Sequence, residues 1–254
     1  MAHSFGRVSY INSIPLFCAE PPFDVREAVP SELNAAVESA ALDISLISRW
    51  IYPKVAKDYA VIPDFCIGGD GEIMSVKLFS RAPLGRLGGR KIFITSESGT
   101  SIRAFRYAMV KKYKIDIFAL PRADGIADAD AVLLIGNRAL SFDASDYGFV
   151  ADLGELWKEV AEVPMIYAVA VARRGIFEGA EGEVREYFGK SLELFESQKP
   201  RWLDVAARRF EQSEGVPIAR SVLEKYYSRL IYRFDGGEFE KSFKYVEALD
   251  GYIG

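Results

Sequence analysis

Two apolar stretches constrain this chain more than any other feature: Leu42-Asp-Ile-Ser-Leu-Ile-Ser48 and Asp128-Ala-Asp-Ala-Val-Leu-Leu-Ile-Gly136. Each enters from an acidic turn and leaves through a hydroxyl residue or a glycine, as a short strand buried on both faces of an α/β sheet does. Helical patterns alternate with them. Phe23 to Val29 reads as a strand, and the helix from Pro30 or Ser31 turns Leu33, Ala36, Val37 and Ala40 inward. With Ile44 to Ser48 this makes a βαβ opening, and a further helix begins near Trp50. A second unit repeats the scheme: a strand at Lys91 to Thr95, a helix at Ile102 to Tyr113 with Phe105, Met109 and Val110 inward, a strand at Asp116 to Leu120, and Ala131 to Ile135. The repetition predicts two similar α/β lobes.

Ligands of such sheets sit at the carboxyl ends of strands. Val8-Ser-Tyr-Ile-Asn-Ser-Ile-Pro-Leu16 reads as a buried strand running into an Asn12-Ser13 elbow and a first helical turn at Pro15. Asn12 offers an amide donor and acceptor, Ser13 offers a hydroxyl, and the free N–H groups of the turn favour an anion. The same residues would also serve as an ordinary strand-to-helix cap. Ser48 stands beside Asn12 if their strands are parallel neighbours. Ser96-Glu-Ser-Gly-Thr-Ser101 sets four hydroxyls and a glycine before a helix N-terminus. Backbone N–H groups and the helix dipole make that loop a cradle for a carboxylate, although capping by Ser98 or Thr100 alone would use the same residues.

Composition excludes several classes of function. A formal charge of −4 over 254 residues, with no long basic run, argues against a nucleic-acid partner. Met1 to Gly6 carries no signal-peptide pattern and no span is free of charge and proline, so no membrane partner and a cytoplasmic location are expected. Cys18 and Cys66 lack metal-ligand or redox spacing and read as buried free thiols, and the single histidine, His3, falls in the N-terminal segment. No metal and no cofactor is expected. Chemistry is left to carboxylates, hydroxyls, amides, lysines and the substrate itself.

Gly68 to Gly71 reads as a turn, Met74 to Arg81 as an alternating strand, and Pro83 to Gly89 as a linker. Lys77 by itself is a solvated strand residue. Asp152 to Glu162 reads as a helix ended by Pro164, followed by a strand from Met165 to Val171. Beyond Glu181 the pattern is helical, at 184–197, 200–214, 217–230 and 239–249, with a short strand at 231–234, and these helices are expected to pack on the first lobe. The division expected is lobe 1 from residues 1–80 and 170–254 and lobe 2 from 81–169.

The chain resembles the chorismate dehydratases of the futalosine route to menaquinone. The likeness is carried by Val8 to Leu16, Val29-Pro-Ser-Glu-Leu-Asn34, Leu42 to Ser48, Ser75-Val-Lys-Leu-Phe-Ser-Arg81, Thr95 to Ser101, Leu133-Leu-Ile-Gly136 and Asp152-Leu-Gly-Glu-Leu-Trp157. It implies a type II periplasmic-binding-protein-like fold with a ligand cleft between the lobes, with Ser75 and Lys77 on its hinge side. The cleft set is then Asn12, Ser13, Ser48, Ser75, Ser98, Thr100, Ser101, Gly136 and Asn137, with Asn12 and Glu97 as candidate catalytic residues. Such a set, rich in neutral donors, suits a small dicarboxylate. The resemblance implies a hydro-lyase that dehydrates chorismate, the base being either the substrate's own enolpyruvyl carboxylate or Glu97. The chain departs from the family pattern at Gly136-Asn-Arg138 and Ala161-Glu-Val-Pro-Met165, which border the cleft. Arg49 stands where the family carries a small polar residue; it adds a carboxylate contact or points to solvent. A binding or sensor protein of the same fold would use the same cleft without turnover. The sister enzyme 1,4-dihydroxy-6-naphthoate synthase opens with a Ser-Pro-Cys-Pro-Asn type of motif, which Ser9 to Asn12 does not match.

Overall fold

The computed structural model describes residues 2–95 and 99–253, with side chains through Leu249. The chain opens with β1 (Ser4–Val8), β2 (Asp24–Ala28), α1 (Pro30–Glu38), β3 (Ile44–Ser48), the short α2 (Tyr52–Val55) and β4 (Tyr59–Gly69). It then crosses into β5 (Val76–Ser80), β6 (Ile92–Ile94), α3 (Gly99–Tyr113), β7 (Ala131–Ile135), α4 (Asn137–Ser141), β8 (Phe149–Asp152) and α5 (Leu153–Val160). It returns through β9 (Met165–Arg173), α6 (Phe177–Ser197), α7 (Lys199–Glu214), α8 (Arg220–Arg229), β10 (Ile231–Arg233) and α9 (Gly236–Ile253).

Two sheets result. The first runs β10-β4-β9-β3-β1-β2 and the second β6-β7-β5-β8. β1 lies parallel to both β2 and β3, so the ends of β1 and β3 are neighbours, as the βαβ reading requires. Burial explains the apolar runs: every residue of β3 and of β7 is buried, because each strand has neighbours on both edges and packing on both faces. Pro30 opens α1, where its missing N–H costs nothing, and Leu33 and Val37 are the residues that α1 buries. The first lobe's core is aromatic around Phe5, whose ring meets Phe17 and Phe23 edge-on with centroids 5.3 Å apart. Such pairs add about 0.5–1.5 kcal/mol each beyond area burial. Among the described residues no helix is long and apolar enough to cross a membrane.

Several expectations are corrected. In the sheets, β5 belongs to the second and β9 to the first, so the chain passes between them after β4 and returns before β9. Pro83 to Gly89 is no interlobe linker, because Leu87 is fully buried in the second lobe's core. Asp116 to Leu120 is a turn, not a strand. The Asp116 carboxylate accepts the N–H of Phe118 at 2.9 Å and both arms of Arg106 at 2.7 and 2.8 Å, which closes the backbone locally. The C-terminal helices do not all pack on the first lobe. In α9, Phe239 joins the first lobe's core while Val246 and Leu249 join the second's, so this helix spans both.

Candidate functional site

A narrow cleft, partly open to solvent, lies between the two sheets where the ends of β1, β3, β5 and β7 meet. Its polar lining comes from Tyr10, Asn12, Ser48, Ser75, Ser101 and Tyr167, together with the backbone at Gly136. Its walls are apolar, with Ile67, Ile73, Ile135 and Leu230 among them. A cleft with apolar walls and a few polar groups suits a small molecule that those groups orient.

The elbow after β1 is built to hold Asn12 in one place. Residues Ile11–Phe17 form a 3₁₀ helix with Pro15 inside it, not an α-helical turn starting at Pro15. Ser13 drives this geometry: its N–H donates to the Tyr10 carbonyl at 3.1 Å and its hydroxyl donates to the Val8 carbonyl at 2.6 Å. The Ile11 and Asn12 carbonyls each accept a tyrosine hydroxyl at 2.8 Å, from Tyr227 of α8 and Tyr232 of β10. Burial pushes both of these hydroxyls well above the ordinary tyrosine range, so they remain donors. From the second lobe, Asn137 accepts the Ile11 N–H at 3.4 Å. With its backbone held on all sides, Asn12 keeps its Oδ1 buried and without a hydrogen-bond partner among the described residues. A buried amide oxygen left in that state costs free energy that a ligand donor would return.

The second lobe meets this elbow through α3. Thr100, in its first turn, hydrogen-bonds Ser48 hydroxyl to hydroxyl, accepts the Trp50 N–H at 2.9 Å and donates its own N–H to Ser48 at 3.3 Å. This knot brings the positive end of the α3 dipole against the end of β3, and Ser101 lines the cleft beside it. On the opposite side, Ser75 follows the crossing from β4. Its carbonyl accepts the Gly136 N–H at 2.8 Å and its side chain is hydrogen-bonded with the Tyr226 hydroxyl. Gly136 has φ +71°, and a Cβ there would lie 2.9 Å from the Tyr10 ring, so both conformation and space require glycine.

Asp152 secures that crossing. It is 4 % exposed, and its carboxylate accepts the N–H groups of Ile73 at 3.0 Å, Met74 at 2.7 Å and Gly154 at 2.8 Å. Burial raises its pKa above the usual carboxylate value, against the opposing pull of those donors and of Lys77. Met74 sits at φ +63°, a left-handed conformation that a methionine adopts only when its surroundings hold it there.

The structure thus brings Asn12, Ser48, Ser75, Ser101 and Gly136 to one cleft and turns three other expected residues away from it. Ser13 is fully buried between Arg7 and the β1 end, with Arg7 Nε donating to its hydroxyl at 3.2 Å. Thr100 is engaged in the knot with Ser48. Asn137 spends its amide on Ile11 and on Ser213, to which Nδ2 donates at 3.0 Å. Arg49 neither reaches the cleft nor points to solvent: it is 0 % exposed, its guanidinium lies 3.7 Å from the Phe243 ring centroid, and Nη2 donates to the Phe243 carbonyl at 3.0 Å. A planar guanidinium stacks on an aromatic face at lower desolvation cost than an ammonium would. Glu97 and Ser98 lie outside the described residues. Tyr10, Tyr167 and Asp152 are not marked as site residues by the sequence, because their placement depends on strands distant in it; Asp152 reads there only as the first residue of a helix.

A family model described as menaquinone biosynthesis matches residues 3–246. The chain is 30 % identical over 227 residues to the chorismate dehydratase of Thermus thermophilus, a match covering 77 % of this chain and 81 % of that protein. It is 27 % identical over 168 residues to the 1,4-dihydroxy-6-naphtoate synthase of Streptomyces coelicolor, covering 61 % and 57 % respectively. Among solved structures, a protein from Archaeoglobus fulgidus superposes with a TM-score of 0.76 at 12 % identity, covering 98 % of this chain and 97 % of that one. The periplasmic aliphatic sulphonate binding protein of Escherichia coli superposes with a TM-score of 0.65 at 12 % identity, covering 99 % and 92 %. At such identities the two superpositions speak for the fold alone, a two-lobed arrangement of the periplasmic-binding-protein type. With sequence similarity running from residue 3 to residue 246, through the β1 elbow, the α3 N-terminus and the Asp152 brace, this chain belongs to the menaquinone-biosynthesis family.

Proposed function

We propose that the protein is a hydro-lyase converting chorismate to 3-[(1-carboxyvinyl)oxy]benzoate, acting in the futalosine route to menaquinone. The observation that carries this reading is the 30 % identity to a chorismate dehydratase over 77 % of the chain. The cleft chemistry supports it. Neutral donors at Asn12, Ser48, Ser101 and the α3 N-terminus suit carboxylates, and the apolar walls suit a flat ring. In the elimination, the proton at the ether-bearing ring carbon goes to a base, the charge spreads through the diene towards the ring carboxylate, and the neighbouring hydroxyl leaves as the ring becomes aromatic. Donors held on that carboxylate stabilise the charge as it grows. The base is the substrate's enolpyruvyl carboxylate held within reach of the ring proton, with Glu97 as the rival from this chain.

Incubation with chorismate followed by chromatography and ultraviolet detection of a substituted benzoate, lighter by one water, tests the reading. Chorismate bound but unconsumed would favour a binding or sensor protein instead. A Glu97→Gln variant with unchanged kcat leaves the substrate carboxylate as the base.

A further inference from the structure

The cleft contains a second buried polar atom that the proposed reaction has not used. Tyr167, on β9, lines the cleft, and its hydroxyl is shut off from solvent with no hydrogen-bond partner among the described residues. Phenols placed in such surroundings ordinarily find a partner, since an O–H taken from water and left unpaired loses its hydration with nothing in return. A tyrosine facing an apolar contact would need no hydroxyl there. The observation therefore points to a ligand oxygen as the missing partner.

The local field selects the kind of oxygen. Burial raises the Tyr167 pKa well above the ordinary value, and Asp152 and Tyr226 raise it further, so the phenol stays protonated and donates. Asp152 also biases this end of the cleft against a second anion. Carboxylates are better placed at the other end, where the α3 dipole, Ser101 and Ser48 converge. What remains for the Tyr167 end is an uncharged acceptor. An alcohol fits on a further ground: it can accept from the phenol and at the same time donate to an amide oxygen, and Asn12 Oδ1 in the same cleft lacks a donor.

We propose that Tyr167 is a specificity-determining residue whose hydroxyl donates a hydrogen bond to the ring alcohol of the substrate, the group lost in the reaction. This rests on the dehydratase reading for the identity of the substrate, but the recognition of a neutral alcohol rests on the cleft alone. Before elimination Tyr167 holds that alcohol in register. Afterwards the ring has lost its partner for Tyr167, so the product is bound without this contact, which favours its release.

The test compares substrate with product in wild type and in Tyr167→Phe, which removes one oxygen and leaves the ring in place. We expect kcat/KM for chorismate to fall at least about tenfold while the Kd of 3-[(1-carboxyvinyl)oxy]benzoate changes by less than about twofold. A merely structural hydroxyl would move both constants together. Equal losses for substrate and product, or no loss for either, would overturn the proposal. Should wild type fail to consume chorismate, the dehydratase reading falls and the Kd of chorismate takes the place of kcat/KM. A selective loss of chorismate affinity in Tyr167→Phe would then still uphold alcohol recognition, and equal affinity would overturn it.

Discussion

Replacing Asp152 probes the joint between the lobes. Its carboxylate is the acceptor for three backbone N–H groups, and two of these belong to Ile73 and Met74 in the crossing from β4 to β5. In Asp152→Ala all three donors lose their partner. At about 1–3 kcal/mol for each buried donor left unsatisfied, the gross loss is roughly 3–9 kcal/mol. Relief from burying a charge offsets part of this, as the raised pKa of Asp152 indicates. A net loss of about 3 kcal/mol is expected in urea unfolding at neutral pH. Asp152→Asn keeps one oxygen, able to serve two of the donors, while its NH₂ opposes the third, so about 1–2 kcal/mol should be lost. The pH dependence has a definite sign. Asp152 holds its proton more tightly folded than unfolded, so its contribution is fully present below the unfolded value of 3.8 and is lost as pH rises through the folded pKa. The stability gap between wild type and Asp152→Asn should therefore narrow from acid towards neutral pH. An Asp152→Ala protein within about 1 kcal/mol of wild type, or a gap that widens with pH, would refute the reasoning.

Asn12→Asp keeps the side chain's size but sets a negative charge opposite an anionic ligand; kcat/KM for chorismate should fall at least about tenfold, or about 1.4 kcal/mol, in a protein whose melting temperature is near normal. Wild-type turnover in a well-folded variant would falsify the role given to Asn12. Gly154→Ala would place a Cβ 1.8 Å from the Gly71 carbonyl oxygen. Backbone must move to admit it, so calorimetry should show a destabilisation of about 1–3 kcal/mol or more, and an unchanged melting temperature contradicts the close approach. Thr100→Ala removes the acceptor of the Trp50 N–H and should lower stability by about 1–3 kcal/mol, whereas Ser101→Ala should weaken product binding by about 1–2 kcal/mol in titration calorimetry. Product affinity unchanged in Ser101→Ala would remove Ser101 from the ligand's contacts.

Much of this was legible in local pattern. The apolar runs of β3 and β7, the proline opening α1 and the polar ends of β1 and β3 all follow from period and turn chemistry, and the parallel pairing of β1 with β3 sets the Asn12 elbow near Ser48. β4 escaped notice because Pro63 and Asp64 interrupt it. Asp64 has φ +70°, and the register with β9 shifts between Val61 and Cys66, so the alternation that marks a strand is broken at a bulge. β8 is short and half exposed at the sheet's edge, with Phe149 and Val150 facing solvent, and carries no burial signal. At the site, residue type identified which side chains could bind a carboxylate but not which way they turn. Ser13 and Asn137 have the right chemistry and spend it on the protein's own backbone and side chains. Arg49 shows the converse: a charge expected at a surface is stacked on a helix that begins almost 190 residues later in the chain. Tyr167 lies on β9 and Asn12 follows β1, and only the assembled fold brings both side chains to the same void.

The position of β9 also bears on how the chain assembles. This strand is wedged between β3 and β4, and β10 closes the far edge, so the first sheet joins segments from opposite ends of the sequence. The second sheet with α3 and α5 is drawn from one uninterrupted stretch between Val76 and Val160. During synthesis that stretch can mature while β1, β2 and β3 stand as an incomplete sheet, with the edge of β3 open until Met165–Arg173 arrives. Long-range strand insertion of this kind is slow beside helix formation, because loop closure must precede the contacts that reward it. Seating β9 and the C-terminal elements in this sheet is what brings Tyr167, Tyr227 and Tyr232 to the cleft and its elbow.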